Sequence, residues 1–140
     1  VSQTVRGTTV AIGGRGILLR GASGSGKSDL ALRLIDRGAA LVSDDYTAVR
    51  IAGGRLIGSA PPAIAGRIEA RGLGILEVAT VADIPLCLVA ELDRAPERLP
   101  DGPLEAKVAG VAIPAVALAA LEPSAPLKLE AALRLYGLTP

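Results

Sequence analysis

The chain has 140 residues, of which 15 are Lys or Arg and 14 are Asp or Glu, so its net charge of +1 gives no electrostatic footprint for nucleic acid. Half the residues are apolar, yet there is no Phe, Trp or Met and only two Tyr, so an aliphatic core is expected and no base-stacking platform. His is absent, which removes imidazole metal sites and Ser-His-Asp catalysis, and a single Cys leaves no disulfide within the chain.

This length suits one domain, taken here as residues 1–140. No secretory leader is visible. No apolar run approaches the roughly 20 residues that span a bilayer, and the stretch from Val108 to Leu121 is broken by Gly110 and Pro114. The expectation is a soluble cytoplasmic protein with no membrane partner.

Thr8–Ile12 reads as a strand, Gly13-Gly14 as a hairpin turn and Gly16–Arg20 as the return strand. The return strand delivers Gly21-Ala22-Ser23-Gly24-Ser25-Gly26-Lys27-Ser28, a complete G-x-x-x-x-G-K-S phosphate loop. The glycines let successive N–H groups turn inward around phosphate oxygens. Lys27 brings positive charge to the β- and γ-phosphates, and the Ser28 hydroxyl is placed to ligate Mg²⁺. Apolar residues at 30, 31, 34 and 35 predict a helix from Lys27 to Arg37, ended by Gly38, whose positive dipole end adds to the anion site. The plain alternative is a Gly/Ser turn before a helix.

Ala40–Ser43 reads as a buried strand ending at Asp44-Asp45, and Thr47–Ile51 with Arg55–Ile57 as a hairpin around Gly53-Gly54. Ser59–Pro62 breaks the pattern, with helical turns expected over Ala63–Arg67 and a strand after Gly72-Leu73-Gly74. Leu86–Leu92 is a buried strand carrying Cys87, expected as a structural thiol. Pro96–Pro103 is a polar loop, Val111–Ile113 a short strand, Ala115–Leu121 a helix and Leu127–Tyr136 a second one. The fold class expected is α/β, a mixed sheet with an N-terminal β-hairpin and a few covering helices.

Phosphoryl transfer needs more than the loop: a carboxylate near Mg²⁺ and a base for the nucleophile. Asp44-Asp45 fits, because neighbouring side chains at a strand end point to opposite faces, one toward the metal and one toward the acceptor. Two carboxylates so close are expected to repel and raise the pKa of one. A solvated turn is the alternative. Glu69 could complete the metal shell and Arg71 grip a phosphate, or the two form a surface ion pair. Arg98, taken alone, reads as a solvated loop charge.

Gly21–Asp29, Leu41–Asp45, Gly58–Pro62 and Glu69–Ile75 together resemble, in order and spacing, the catalytic domain of HPr kinase/phosphorylase, most of all its short α-proteobacterial form. The likeness runs from about Arg6 to Ile113. It implies a fold related to phosphoenolpyruvate carboxykinase and a hexamer. It implies ATP and Mg²⁺ as cofactors and the phosphotransferase-system protein HPr as serine acceptor. A reverse reaction turns inorganic phosphate and phosphoserine into pyrophosphate and serine. By this resemblance Gly21, Ala22, Ser23, Gly24, Ser25, Gly26, Lys27 and Ser28 hold the nucleotide, and Ser28, Asp44 and Glu69 hold Mg²⁺. Asp45 is proton acceptor forward and donor in reverse. Lys27 and Arg98 are catalytic, and Glu69–Val78 serves both directions.

The chain departs from the family at two places. Arg6 stands where the family carries His; Arg cannot act as base, and beside Asp45 it would lower the aspartate's pKa and favour the forward reaction, unless it is a surface Arg with no role. The family's Pro-Val-Lys-Pro-Gly-Arg-Asn-like stretch is here Ile113–Leu118, without charge or glycine, which also weakens the phosphorylase expectation. Two other readings stand beside the protein kinase: a P-loop kinase for a small molecule, with Pro96–Pro103 as its lid, and a non-catalytic nucleotide-sensing module.

Overall fold

The computed structural model describes residues 2–140. Strands β1 (Ser2–Arg6) and β2 (Thr8–Ile12) open the chain, and β2 turns at Gly13-Gly14 into β3 (Arg15–Arg20). Beyond the glycine-rich loop, α1 (Lys27–Asp36) is followed by β4 (Ala40–Ser43) and by the hairpin β5 (Tyr46–Ala52) and β6 (Arg55–Ser59). These elements lie where apolar spacing and glycine pairs predict them; β1 has no such signal.

The turns expected over Ala63–Arg67 shrink to one 3₁₀ turn, Pro62–Ile64. Gly66 then bends the chain into β7 (Arg67–Ala70), which pairs with β8 (Gly74–Glu77) as a separate two-stranded sheet. β9 (Ile84–Glu91), β10 (Leu104–Val108), β11 (Val111–Ala117) and α2 (Ala125–Tyr136) complete the chain. The helix expected over Ala115–Leu121 is a correction. Residues 111–117 are β11, parallel to β9 with Ala115 opposite Val89 and Ala117 opposite Glu91. Alternate residues Ile113 and Ala115 are the buried ones, and β-branched Val111, Ile113 and Val116 suit a pleated surface better than a helix.

Among the described residues nine strands form one curled mixed sheet, in the order β1-β5-β6-β9-β3-β2-β4 with β11 and β10 added along the far half of β9. The pairs β3·β9 and β9·β11 are parallel and the others antiparallel. Since β2 runs against both β3 and β4, those two strands share a direction. The carboxyl ends of β3, β4 and β9 therefore meet at one end of the sheet, where ligands of α/β sheets collect.

Both faces are covered. Ile17 and Leu19 of β3 pack with Leu30, Leu34, Leu129 and Leu133 of the helices, while Leu18 between them faces Val49, Leu56, Val89 and Ile113. Each such aliphatic side chain contributes about 1.5–3 kcal/mol by leaving water. Opposite β3 the register slips: Gly16 faces Leu86 but Ile17 faces Leu88. Cys87 is the extra residue, and the slip turns Cys87 and Leu88 into the same helix-side core. Cys87 is free and buried, as expected.

Candidate active site

The glycine-rich loop is curled by its own backbone, with Ser25 N–H donating to the Ala22 carbonyl at 3.0 Å. Gly26 stands at φ 98°, in the left-handed region that favours glycine, and directly precedes α1. Gly21 is required by proximity: a Cβ there would lie 2.5 Å from Ser25 Oγ and 3.2 Å from Leu92 Cβ. The Lys27 side chain is buried, and its Nζ donates to the Gly21 and Ala22 carbonyls at 2.8 and 3.0 Å. Lys27 forms no ion pair among the described residues, so its charge stays available to an anion on the loop.

The loop is also held from β9. Leu92 N–H donates to Arg20 O at 2.8 Å, and Arg20 makes a two-pronged bond to Glu91 at 2.8 and 3.0 Å. The Asp93 carboxylate accepts from the Ala22 N–H at 2.7 Å. Asp93 touches the loop and is missed by sequence reading, because only the parallel pairing of β3 with β9 brings it there.

At the end of β4 the chain makes a three-residue turn, Tyr46 N–H donating to Asp44 O at 2.7 Å, with Asp45 at its centre at φ 65°. Aspartate tolerates that conformation better than most residues. Both backbone groups of Asp45 are held: its N–H donates to Thr8 Oγ1 at 3.1 Å and its carbonyl accepts from Gly7 N–H at 2.8 Å. The turn separates the two carboxylates as expected. Asp44 points inward and is only 7 % exposed; Asp45 is exposed and opens on the cavity.

Asp44 Oδ1 accepts from Thr8 Oγ1 at 2.9 Å and from Ser28 Oγ at 2.7 Å, and Oδ2 accepts from the Glu69 N–H at 2.9 Å. Thr8, fully buried, therefore touches both aspartates. It too is legible only once β2 and β4 are paired.

One cavity of about 380 Å³ joins these groups; Lys27, Ser28, Asp44, Asp45, Glu69 and Arg71 all line it. Asp44 is a buried carboxylate held by neutral donors alone, with no ion pair among the described residues, an arrangement that leaves room for a cation. No group of three or more His, Cys, Asp or Glu is poised to hold a metal by itself among the described residues. The donors at hand are the Ser28 hydroxyl and the carboxylates of Asp44 and Glu69. Hard oxygens in that number suit Mg²⁺, which keeps waters and takes the rest of its shell from phosphates.

Of the expected residues, Gly21, Ala22 and Ser25 of the loop do not line this cavity, and neither do Arg6 and Arg98. Arg6 pairs with Tyr46 across β1·β5, and its guanidinium carbon stands 5.7 Å from the Tyr46 ring centroid. It lines a neighbouring cleft that meets the loop at Gly21 and includes Asp93 and Arg94. Arg98 is exposed on the loop between β9 and β10 and lines neither cavity.

Known proteins share both sequence and fold with this chain. The family model for the HPr Serine kinase C-terminal domain matches residues 1–121. HPr kinase/phosphorylase of Clostridium beijerinckii is 47% identical over 77 residues, 55% of this chain and 26% of that protein. The protein of the same name from Bordetella petrii is 46% identical over 81 residues, 57% of this chain and 26% of its own length. The matched stretch thus spans about a quarter of these relatives. Among solved structures, the Hpr(Ser) kinase/phosphatase of Coxiella burnetii matches with a TM-score of 0.81 at 29% identity, over 94% of this chain and 88% of that one.

Proposed function

The chain belongs to the HPr serine kinase C-terminal domain family, and on that premise we propose that it is a cytoplasmic protein kinase that moves the terminal phosphoryl group of ATP to a serine of HPr. The observation that carries the reading is one cavity onto which the glycine-rich loop, a lysine without an ion pair among the described residues and an outward-facing aspartate all open. The loop N–H groups and Lys27 bind the phosphates and orient the γ-phosphorus. The serine hydroxyl attacks that phosphorus, its proton passes to the Asp45 carboxylate, and ADP leaves. Ser28, Asp44 and Glu69 would hold Mg²⁺, which neutralises charge across the β- and γ-phosphate oxygens when bound. Arg71, exposed at the cavity edge, steadies the incoming phosphate or acceptor.

In the reverse direction inorganic phosphate attacks phosphoserine, Asp45 returns its proton to the serine oxygen, and pyrophosphate forms. This direction is expected to be the weaker, because Arg6 stands where the family resemblance implies a histidine and Ile113–Leu118 offers no charge. Arg6→His therefore raises the ratio of reverse to forward rate; an unmoved ratio rejects the role given to Arg6. Kinship with phosphoenolpyruvate carboxykinase, a role for Arg98 and a hexameric assembly belong to the same reading.

Incubation with γ-labelled ATP, Mg²⁺ and purified HPr tests it. Label on an HPr serine supports the kinase. Label on a small molecule instead makes it a metabolite kinase. ATP binding without transfer, unchanged in Asp45→Asn, makes it a nucleotide sensor.

A further inference from the structure

The geometry points to a seat for the nucleobase, made by Leu32 and Leu121, that grips the flat face of the base. The inference rests on the reading of the loop as a nucleoside triphosphate site.

The cavity over the loop is lined mainly by polar and glycine residues, and Leu32 and Leu121 are the two large apolar side chains on it. Leu121 is 71 % exposed, which for an isolated leucine means little. This one is held in place over the loop. The Arg33 guanidinium donates to the carbonyls of Ala120 and Glu122 on either side of it, and Arg33 is itself paired with Asp29 at 3.0 Å. Segment 120–122 is thereby fastened to α1. Leu121 also lies against the last glycine of the loop: a Cβ on Gly26 would come within 3.0 Å of Leu121 Cδ2 and 3.3 Å of Ala120 Cβ. The glycine gives the leucine its place as well as giving the loop its turn.

Leu32 sits one helical turn beyond Ser28, on the same face of α1. The reacting end of a triphosphate must meet Asp45, and Asp45 belongs to the β4 turn. The nucleoside end must leave elsewhere in the same cavity, and the apolar surface there is the pair of leucines. A purine or pyrimidine face is the apolar group covalently tied to that triphosphate, so the occupant is set by continuity with the phosphate cradle. Asp29, on the same cavity, is paired with Arg33 through Oδ2.

The test compares two ligands that share phosphates and differ in the base: ATP and inorganic tripolyphosphate, each titrated with Mg²⁺ against the full chain. Leu121→Ala is expected to weaken ATP about tenfold, the size of losing one apolar side-chain contact, and to leave tripolyphosphate unchanged. Leu32→Ala does the same to a smaller degree, and Leu121→Trp tightens ATP alone. Because Leu121 is exposed, its substitution leaves the core intact, and far-ultraviolet circular dichroism verifies this for each variant. Equal weakening of both ligands, or no change in either, overturns the seat. If the parent chain binds neither ligand, the nucleotide reading fails first and the seat falls with it.

Discussion

Thr8 is one hydroxyl serving two carboxylate residues: it donates to Asp44 Oδ1 and accepts from the Asp45 N–H. Valine has nearly the same shape and neither function. Thr8→Val leaves the Asp45 N–H without its acceptor and takes a donor from a buried carboxylate, so it is expected to cost about 1–3 kcal/mol in urea unfolding and to slow phosphoryl transfer. Unchanged stability would mean that water replaces the hydroxyl. At Asp45 the backbone sets which substitutions are informative. Asparagine tolerates φ 65° as aspartate does, so Asp45→Asn is expected to unfold at the parent's urea midpoint. Asp45→Val, β-branched at a left-handed position, is expected to lower that midpoint by a cost of about 1–3 kcal/mol. The Asn variant therefore isolates chemistry, and the Val variant does not.

At the scale of elements, β3, the loop and α1 are legible in the sequence because their signals are local: an apolar run, a glycine pattern and a helical spacing within about thirty residues of each other. What the loop requires of its neighbours is not local. Asp93 and Thr8 are ordinary residues until β9 and β2 are laid beside β3 and β4, and no spacing announces that pairing. β10 carries a local signal, Leu104, Ala106 and Val108 alternating with Glu105 and Lys107, but the run abuts a proline-rich loop. β11 misleads for the opposite reason, since its short run of Ala, Val and Ile fits either period and only the parallel edge of β9 decides. The loop itself makes a sharp prediction. Gly21→Ala puts a methyl carbon 2.5 Å from Ser25 Oγ and 3.0 Å from Ser25 Cβ, so Ser25 and the loop around it must shift. ATP binding is expected to fall by more than about tenfold while the sheet stays folded, overpacking at one loop position costing roughly 1–3 kcal/mol. Asp93→Ala is expected to weaken ATP less, with Asp93→Asn restoring most of the loss, because an amide oxygen can still accept from Ala22 N–H.

The whole molecule is a sheet covered on both faces, with its site gathered at one end, and the aliphatic core anticipated from composition is what fills it. Cys87 sits in that core, close to Arg55 and beneath the C-terminal residues, whose Leu138 N–H donates to Cys87 O at 2.9 Å. Burial pushes its thiol above the ordinary range, against a smaller opposing pull from Arg55 and Arg15. A thiol held protonated by the fold adds its full contribution below the pKa of the unfolded thiol. That contribution is lost as pH rises through the folded value, so stability is expected to fall above about pH 8.5. In Cys87→Ala this part of the alkaline slope disappears, at a cost in stability at neutral pH from the smaller side chain. An identical slope in both proteins, followed by thermal unfolding from pH 7 to 10, would assign the loss to other groups.

A bound triphosphate facing Asp45 is the central requirement of phosphoryl transfer here, and single-turnover transfer from γ-labelled ATP to HPr, measured beside ATP affinity in the parent and in Asp45→Asn, tests it most directly. The predicted result is equal ATP affinity in the two proteins and a transfer rate lower by about 10²–10⁴ in the variant, the range for losing a positioned base. Transfer at the parental rate in Asp45→Asn would contradict it.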